Sequence, residues 1–256
     1  MKNNYRVYMI VVCLLSMLSA YGQKDSVILQ ITYNATYQGS KCFDDVECLD
    51  IATYSSRYYS LIGEYWKSST DKSKTTLPKG KKSNYEIYKN MPTKGVMEYI
   101  HQPFWITVKD SISNLFSWEM LEGDSIVCGY PCKLARTKFR GKQWTVWYTI
   151  DLPFSDGPWK LLGLPGVILY ARDSLNQNRF ECISIQKAKD VYITYPKQKK
   201  KYVSLQKAEE LRRLEQQSPE DFFNLIFAGD IQIVKGSPKE KGTMPDTSSP
   251  ALEIIE

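Results

Sequence analysis

The clearest periodicity in the chain runs from Val27 to Tyr37. There Val27, Leu29, Ile31, Tyr33, Ala35 and Tyr37 alternate with Ile28, Gln30, Thr32, Asn34 and Thr36. A period of two held over that length predicts a long antiparallel strand with one buried face. Glu47–Ile62 sets Ile51, Tyr54, Tyr58 and Leu61 among serines and reads as further strand. Tyr85–Tyr88 and Val96–Ile100 flank Asn90-Met91-Pro92-Thr93-Lys94-Gly95, a hairpin signal. Phe104–Val108 and Leu115–Leu121 continue the meander. Residues 143–150 alternate again, with Trp144, Val146, Tyr148 and Ile150 on one face and Trp147 on the other. Val167–Tyr170 and Arg179–Ile185 form another strand pair around a polar turn, Asp173–Asn178.

The period then changes. Leu205, Ala208, Leu211 and Leu214 recur every three residues among Glu209, Glu210, Arg212 and Arg213, with Ser204 as N-cap. Ser218-Pro219-Glu220-Asp221 supplies a cap, a proline at the first helical position and acids on the positive helix end. Phe222, Phe223, Leu225 and Ile226 are the expected buried side of that second helix. Eight or more short strands followed by one or two helices predict a mainly β (α+β) fold. The expected form is a curved antiparallel meander sheet, or half-barrel, covered by the C-terminal helices.

Composition narrows the class. Of 256 residues, 43% are hydrophobic and 24% charged, which excludes a disordered or fibrous chain. The aromatic share of 13% suits strands. Met1–Gly22 has a basic start (Lys2, Arg6), an apolar run from Tyr8 to Leu18, and small residues at Ala20 and Gly22. This is the pattern of a cleaved export signal, too short in its apolar run to span a bilayer. Residues 23–235 are then expected to form one domain, and 236–256, rich in Gly, Ser, Pro, Thr and charge, a disordered tail. Losing Lys2 and Arg6, with no acid, takes the formal charge from +6 to +4. The excess sits in Lys79-Gly80-Lys81-Lys82 and Lys197-Gln198-Lys199-Lys200-Lys201. Such runs read as solvated loops, with peripheral contact to anionic lipid or polysaccharide as the alternative. No nucleic-acid motif accompanies them.

Candidate chemistry is sparse. After signal removal five cysteines remain, Cys42, Cys48, Cys128, Cys132 and Cys182. Export permits disulfides, and an odd count leaves one thiol over or an intermolecular bond. The Cys42–Cys48 spacing suits a small loop closure and suits two unrelated positions equally well. His101 is the lone histidine, so no metal site is expected. No nucleophile, zinc or phosphate-loop motif appears, so no catalytic residue and no cofactor is assigned. Asp-Ser-apolar triplets place Ser26, Ser111, Ser125 and Ser174 in a pattern that resembles a bacterial O-glycosylation acceptor. The same triplet is also how a turn enters a strand.

The densest stretch is Ile126–Tyr170. It holds Gly129-Tyr130-Pro131-Cys132, Phe139-Arg140-Gly141-Lys142, Trp147-Tyr148, Gly157-Pro158-Trp159-Lys160 and Gly163-Leu164-Pro165-Gly166-Val167-Ile168. This series resembles the GLPGLI family, small exported proteins of Gram-negative bacteria named for that hexapeptide, with Val167 here in place of leucine. The resemblance implies a location in the periplasm or at the outer membrane and supplies no catalytic residues. Within the stretch, Arg140, Trp144, Trp147, Trp159, Gly163, Leu164, Pro165 and Gly166 are the candidate binding residues. Trp159 either plugs an open end of the sheet or stands as an exposed anchor on a rigid loop. Arg140 either binds an anion or pairs internally with Asp151 or Asp156. Two functions stay open: a binder of an apolar ligand such as a lipid in a concave groove, or an adaptor that docks an envelope protein through the Trp159 loop. A filled concave face would count against the first, and an exposed aromatic patch or unpaired sheet edge would favour the second.

Overall fold

The protein is described by a computed structural model covering residues 24–38, 42–61, 64 and 85–227. The expected export signal, the Lys79–Lys82 run and the tail from residue 236 lie outside the described residues.

Among the described residues the fold is one curled sheet of thirteen strands with two helices after it. It grows from two meanders. The first is β1 (Lys24–Gln38), β2 (Cys42–Ala52), β3 (Ser56–Ser60), β4 (Tyr85–Lys89), β5 (Val96–His101) and β6 (Ile106–Ser111). The second is β7 (Glu119–Val127), β8 (Tyr130–Phe139), β9 (Lys142–Thr149), β10 (Val167–Asp173) and β11 (Asn178–Lys187). Antiparallel pairing of β1 with β11, for example Tyr33 opposite Cys182, joins them into one sheet. The alternation in β1 does what its period predicts: Leu29, Ile31, Tyr33, Ala35 and Tyr37 are all buried. The stretch expected as one strand from Glu47 to Ile62 is two, broken at Thr53–Ser55, where Asp25 accepts the backbone N–H groups of Tyr54 and Ser55. β12 (Tyr192–Thr194) adds to the start of β1, and β13 (Lys201–Tyr202) runs parallel to β6.

The sheet curls strongly. Tyr58 on β3 and Phe180 on β11 stand three strands apart, about 14 Å in a flat sheet, yet their ring centroids are 6.3 Å apart. Arg140 in the β8–β9 turn and Asp110 on β6 are eight strand steps apart and meet at 2.5 Å. A half-barrel brought nearly to closure is the shape that allows this.

Helices α1 (Leu205–Gln217) and α2 (Pro219–Phe227) form where the period changes, and Ser204 caps the first by accepting from the Lys207 N–H. They pack on β6 at one end of the sheet, through Leu211, Phe222 and Ile226 against Ile106. Phe223, expected on the buried side, is 46% exposed. The concave centre is closed by other residues: Trp159, Leu161, Leu162 and Leu164, from the β9–β10 connection. The physical reason is supply. That connection offers four large apolar side chains, whereas α1 buries Leu211 alone among its described side chains.

Candidate functional site

The connection from Ile150 to Gly166 decides what the interior can hold. Lys89 on β4, 1% exposed, reaches across the curl. Its Nζ donates to Asp156 Oδ1 at 2.5 Å, the Gly157 carbonyl at 2.8 Å and the Leu161 carbonyl at 3.3 Å. Burial lowers the pKa of this ammonium, and Asp156 opposes the shift. Trp159 is fully buried and sits at φ +52, a left-handed conformation that costs a bulky residue about 1–2 kcal/mol. Its ring stacks on Trp144 at 5.4 Å and meets Phe139 edge-on at 5.7 Å. Trp159 is therefore the plug and not an exposed anchor. Trp144 and Leu164 are equally buried, so neither is offered to a partner.

The rest of the motif supports the plug. Gly166 passes so close to β9 that a Cβ there would lie 1.9 Å from the Thr149 carbonyl oxygen. Gly163 and Pro165 are exposed, and Gly163 lies against Trp118, whose indole N–H donates to the Leu162 carbonyl at 2.9 Å. Trp147, on the other face of β9, covers Gly123 at a bulge in β7.

Arg140 has an internal partner, but neither of those expected. It pairs with Asp110, which also receives Lys160 Nζ at 3.2 Å. Burial alone would raise the Asp110 carboxyl, yet the Lys160 and Arg140 cations together hold it below the usual carboxylate range. Asp156 belongs to Lys89 instead. A further polar cluster inside the curl was not legible in the sequence: Tyr37, Tyr58 and Tyr85 all donate to the fully buried Glu47 carboxylate. Burial first, then Glu47, raises the Tyr58 and Tyr85 hydroxyls well above their ordinary value, so they act as protonated donors.

The other candidates are dispersed. Cys42 and Cys48 lie on one extended strand, about 20 Å apart by strand rise, so the small loop closure is excluded. Ser26, Ser111 and Ser174 are exposed and Ser125 half-buried. Three of their preceding aspartates have structural partners: Asp25 caps Tyr54 and Ser55, Asp110 holds Arg140, and the buried Asp173 pairs with Lys142 at 2.8 Å. Among the described residues no group of three or more His, Cys, Asp and Glu is placed to hold a metal ion.

Open surface lies at the sheet's end. Among the described residues β7 has no neighbour on its outer side, while β6 at the opposite end carries β13 and the helices. Beside β7 runs a groove of about 410 Å³ lined by Asp124, Ser125, Ile126, Pro131, Cys132, Lys133, Ile150 and Asp151. Ile126 is 77% and Ile150 52% exposed. Ile150 was expected on one face with Trp144, Val146 and Tyr148, but β9 ends at Thr149 and the chain turns there. The signal that could have found this site was Ile150, the last apolar residue before the alternation breaks at Asp151.

Fold and site together define a curled β-sheet module with a filled interior and a grooved edge that is free among the described residues. Residues 118–170, about a fifth of the chain, match a family described as a protein of unknown function (Porph_ging). That stretch includes the edge strand, the groove and the plug. No curated protein sequence matches the chain. Among solved structures, PNGF-II in its C2 crystal form aligns with a TM-score of 0.53 at 15% identity, over 72% of this chain and 32% of that one. The chain thus spans about a third of PNGF-II, and the likeness is one of fold alone. MucB in complex with MucA(peri) aligns with a TM-score of 0.31 at 11% identity, over 63% of this chain and 50% of that one. The Pseudomonas aeruginosa MucA/MucB complex aligns with a TM-score of 0.33 at 12% identity, over 68% and 54%. No helix among the described residues is long and apolar enough to cross a membrane.

Proposed function

We propose that this chain is an exported, non-catalytic binding module that docks an extended segment of a partner protein along the β7 edge. One contrast carries the reading: the interior of the curl is packed with side chains, while the groove is open beside the outer edge of β7, which has no neighbour among the described residues. An added strand would satisfy the free N–H and C=O groups of Glu119–Val127. Apolar side chains on it would meet Ile126, Pro131 and Ile150, and basic ones would answer the acids Asp124 and Asp151, which outnumber Lys133 among the lining residues. The occupant is therefore a segment alternating apolar and basic residues. The periplasm or the outer membrane is its expected place of work, in keeping with the export signal and the GLPGLI resemblance. An apolar small ligand is the weaker reading, since Tyr33, Tyr58, Trp144, Trp159 and Phe180 occupy the space it would need.

An NMR titration tests this, using a nine-residue peptide of alternating Val and Lys and, separately, dodecanoate. The peptide is expected to shift the Glu119–Val127 amides saturably, and Ile126→Asp to weaken it about tenfold. Unmoved Glu119–Val127 amides, with dodecanoate shifting Tyr33 and Phe180 instead, would overturn the proposal.

A further inference from the structure

Two cysteines far apart in sequence meet beneath the edge hairpin. Val127 pairs with Tyr130, so Cys128 and Gly129 form a two-residue turn with φ of +50 and +83. Both positive values fit a type I′ turn, where Asn, Asp or Gly usually takes the first position. A cysteine there is out of place on local grounds, and a side chain kept in a strained position invites a tertiary reason. The reason is in reach. The Cys182 thiol donates to the Ser184 carbonyl at 3.7 Å, and Cys128 reaches close enough to act on both Cys182 and its cross-strand partner Tyr33. Cys182 lies on the inner face of β11 at 5% exposure, in the core against which Val127 and Tyr130 pack. Cys128 itself is exposed.

We infer that Cys128 and Cys182 form a disulfide in the oxidised protein, stapling the β7–β8 hairpin to β11. The chemistry is exchange with a disulfide oxidant. The exposed Cys128 sulfur attacks it, forming a mixed disulfide and expelling one thiolate. Cys182 then gives up its proton and attacks the Cys128 sulfur, expelling the second thiolate. Two protein thiols are oxidised, one small disulfide is reduced to two thiols, and the protons leave on them. Burial, followed by the neighbouring Cys128, raises the Cys182 thiol pKa, so the first attack falls to Cys128. The inference is independent of what the β7 edge binds.

The test is oxidation of the purified chain with excess oxidised glutathione, alkylation of remaining thiols, and a non-reducing peptide map. The expected result is one link, Cys128 to Cys182, with Cys42, Cys48 and Cys132 alkylated. The oxidised chain should also melt about 5–10 °C above the reduced one, a gain absent in Cys128→Ser. Cys128→Ser alters an exposed turn and keeps the fold, so the comparison stands even if Cys182→Ser does not fold. A link from Cys132 to either partner, or five alkylated thiols after saturating oxidant, would overturn the inference.

Discussion

Single residues set what this molecule cannot do as much as what it can. Trp159 stands in a conformation unfavourable to its own backbone, and its ring contacts with Trp144 and Phe139 outweigh that cost. Removing the ring leaves a void between β8, β9 and the connection. Trp159→Ala is therefore expected to lose about 3–5 kcal/mol in urea unfolding. An unchanged midpoint would show that the ring is not part of the core. Lys89 works with the plug from the opposite wall, since its three bonds tie Asp156, Gly157 and Leu161 to β4. The motif residues around Trp159 are thus explained by packing: Gly166 for close approach to Thr149, Leu164 for burial, Gly163 for room beside Trp118.

At the scale of elements, the C-terminal helices are held by a small apolar cluster, by Lys201 Nζ donating to the Ile226 carbonyl, and by a contact at His101. His101 ends β5, lies 5.8 Å from the Phe104 ring, and places Nε2 3.6 Å from Glu215 on α1. Burial pushes the imidazole pKa down to about 4, so at neutral pH it meets the carboxylate uncharged. The unfolded chain titrates this group near 6.5. Because the folded value is the lower one, the unfolded state takes up the proton first. Stability from this group is full above about pH 6.5 and falls as the pH drops towards about 4, by at most about 3 kcal/mol. Glu215, raised by burial, acts in the opposite sense just above its ordinary value. Urea midpoints of wild type and His101→Gln at about pH 7 and pH 5 separate the two. The variant is expected to lose less stability over that window, and an equal loss would exclude His101 as the source.

For the whole molecule, closure of the curl rests on a latch. Asp110 on β6 lies between Arg140 of the β8–β9 turn and Lys160 of the plug, joining the two meanders at their far sides. Asp110→Asn removes the negative charge between two cations and is expected to cost about 3 kcal/mol at neutral pH. The carboxyl is held below its usual range, so its contribution is present above the unfolded value near 3.9 and is lost as pH falls through the lower folded one. The gap between wild type and Asp110→Asn should therefore close below about pH 4 in thermal melts. A gap that persists in acid would show that the carboxyl's shape, not its charge, closes the curl.

What the sequence determined by itself was local. Period two marked β1 and β9, the polar turn Asp173–Asn178 marked the β10–β11 pair, the Pro-Thr-Lys-Gly turn marked the β4–β5 hairpin, and Ser204 and Ser218-Pro219 marked both helix starts. These signals are local because backbone geometry sets how often a side chain returns to the same face. The candidate site was legible only in its neighbourhood. The Ile126–Tyr170 stretch was singled out, but its tryptophans are core and its binding surface is the groove beside Ile126 and Ile150. Tertiary structure decided the rest. Whether an aromatic is buried depends on how far the sheet curls, and curl is the sum of pairings such as β1 with β11, across about 150 residues of chain. The same long-range pairing chose Asp110 for Arg140, gathered three tyrosines on Glu47, left β7 without an outer neighbour among the described residues, and set Cys128 beside Cys182. Contacts between residues so distant in sequence leave no periodic trace, so only the folded sheet could select them.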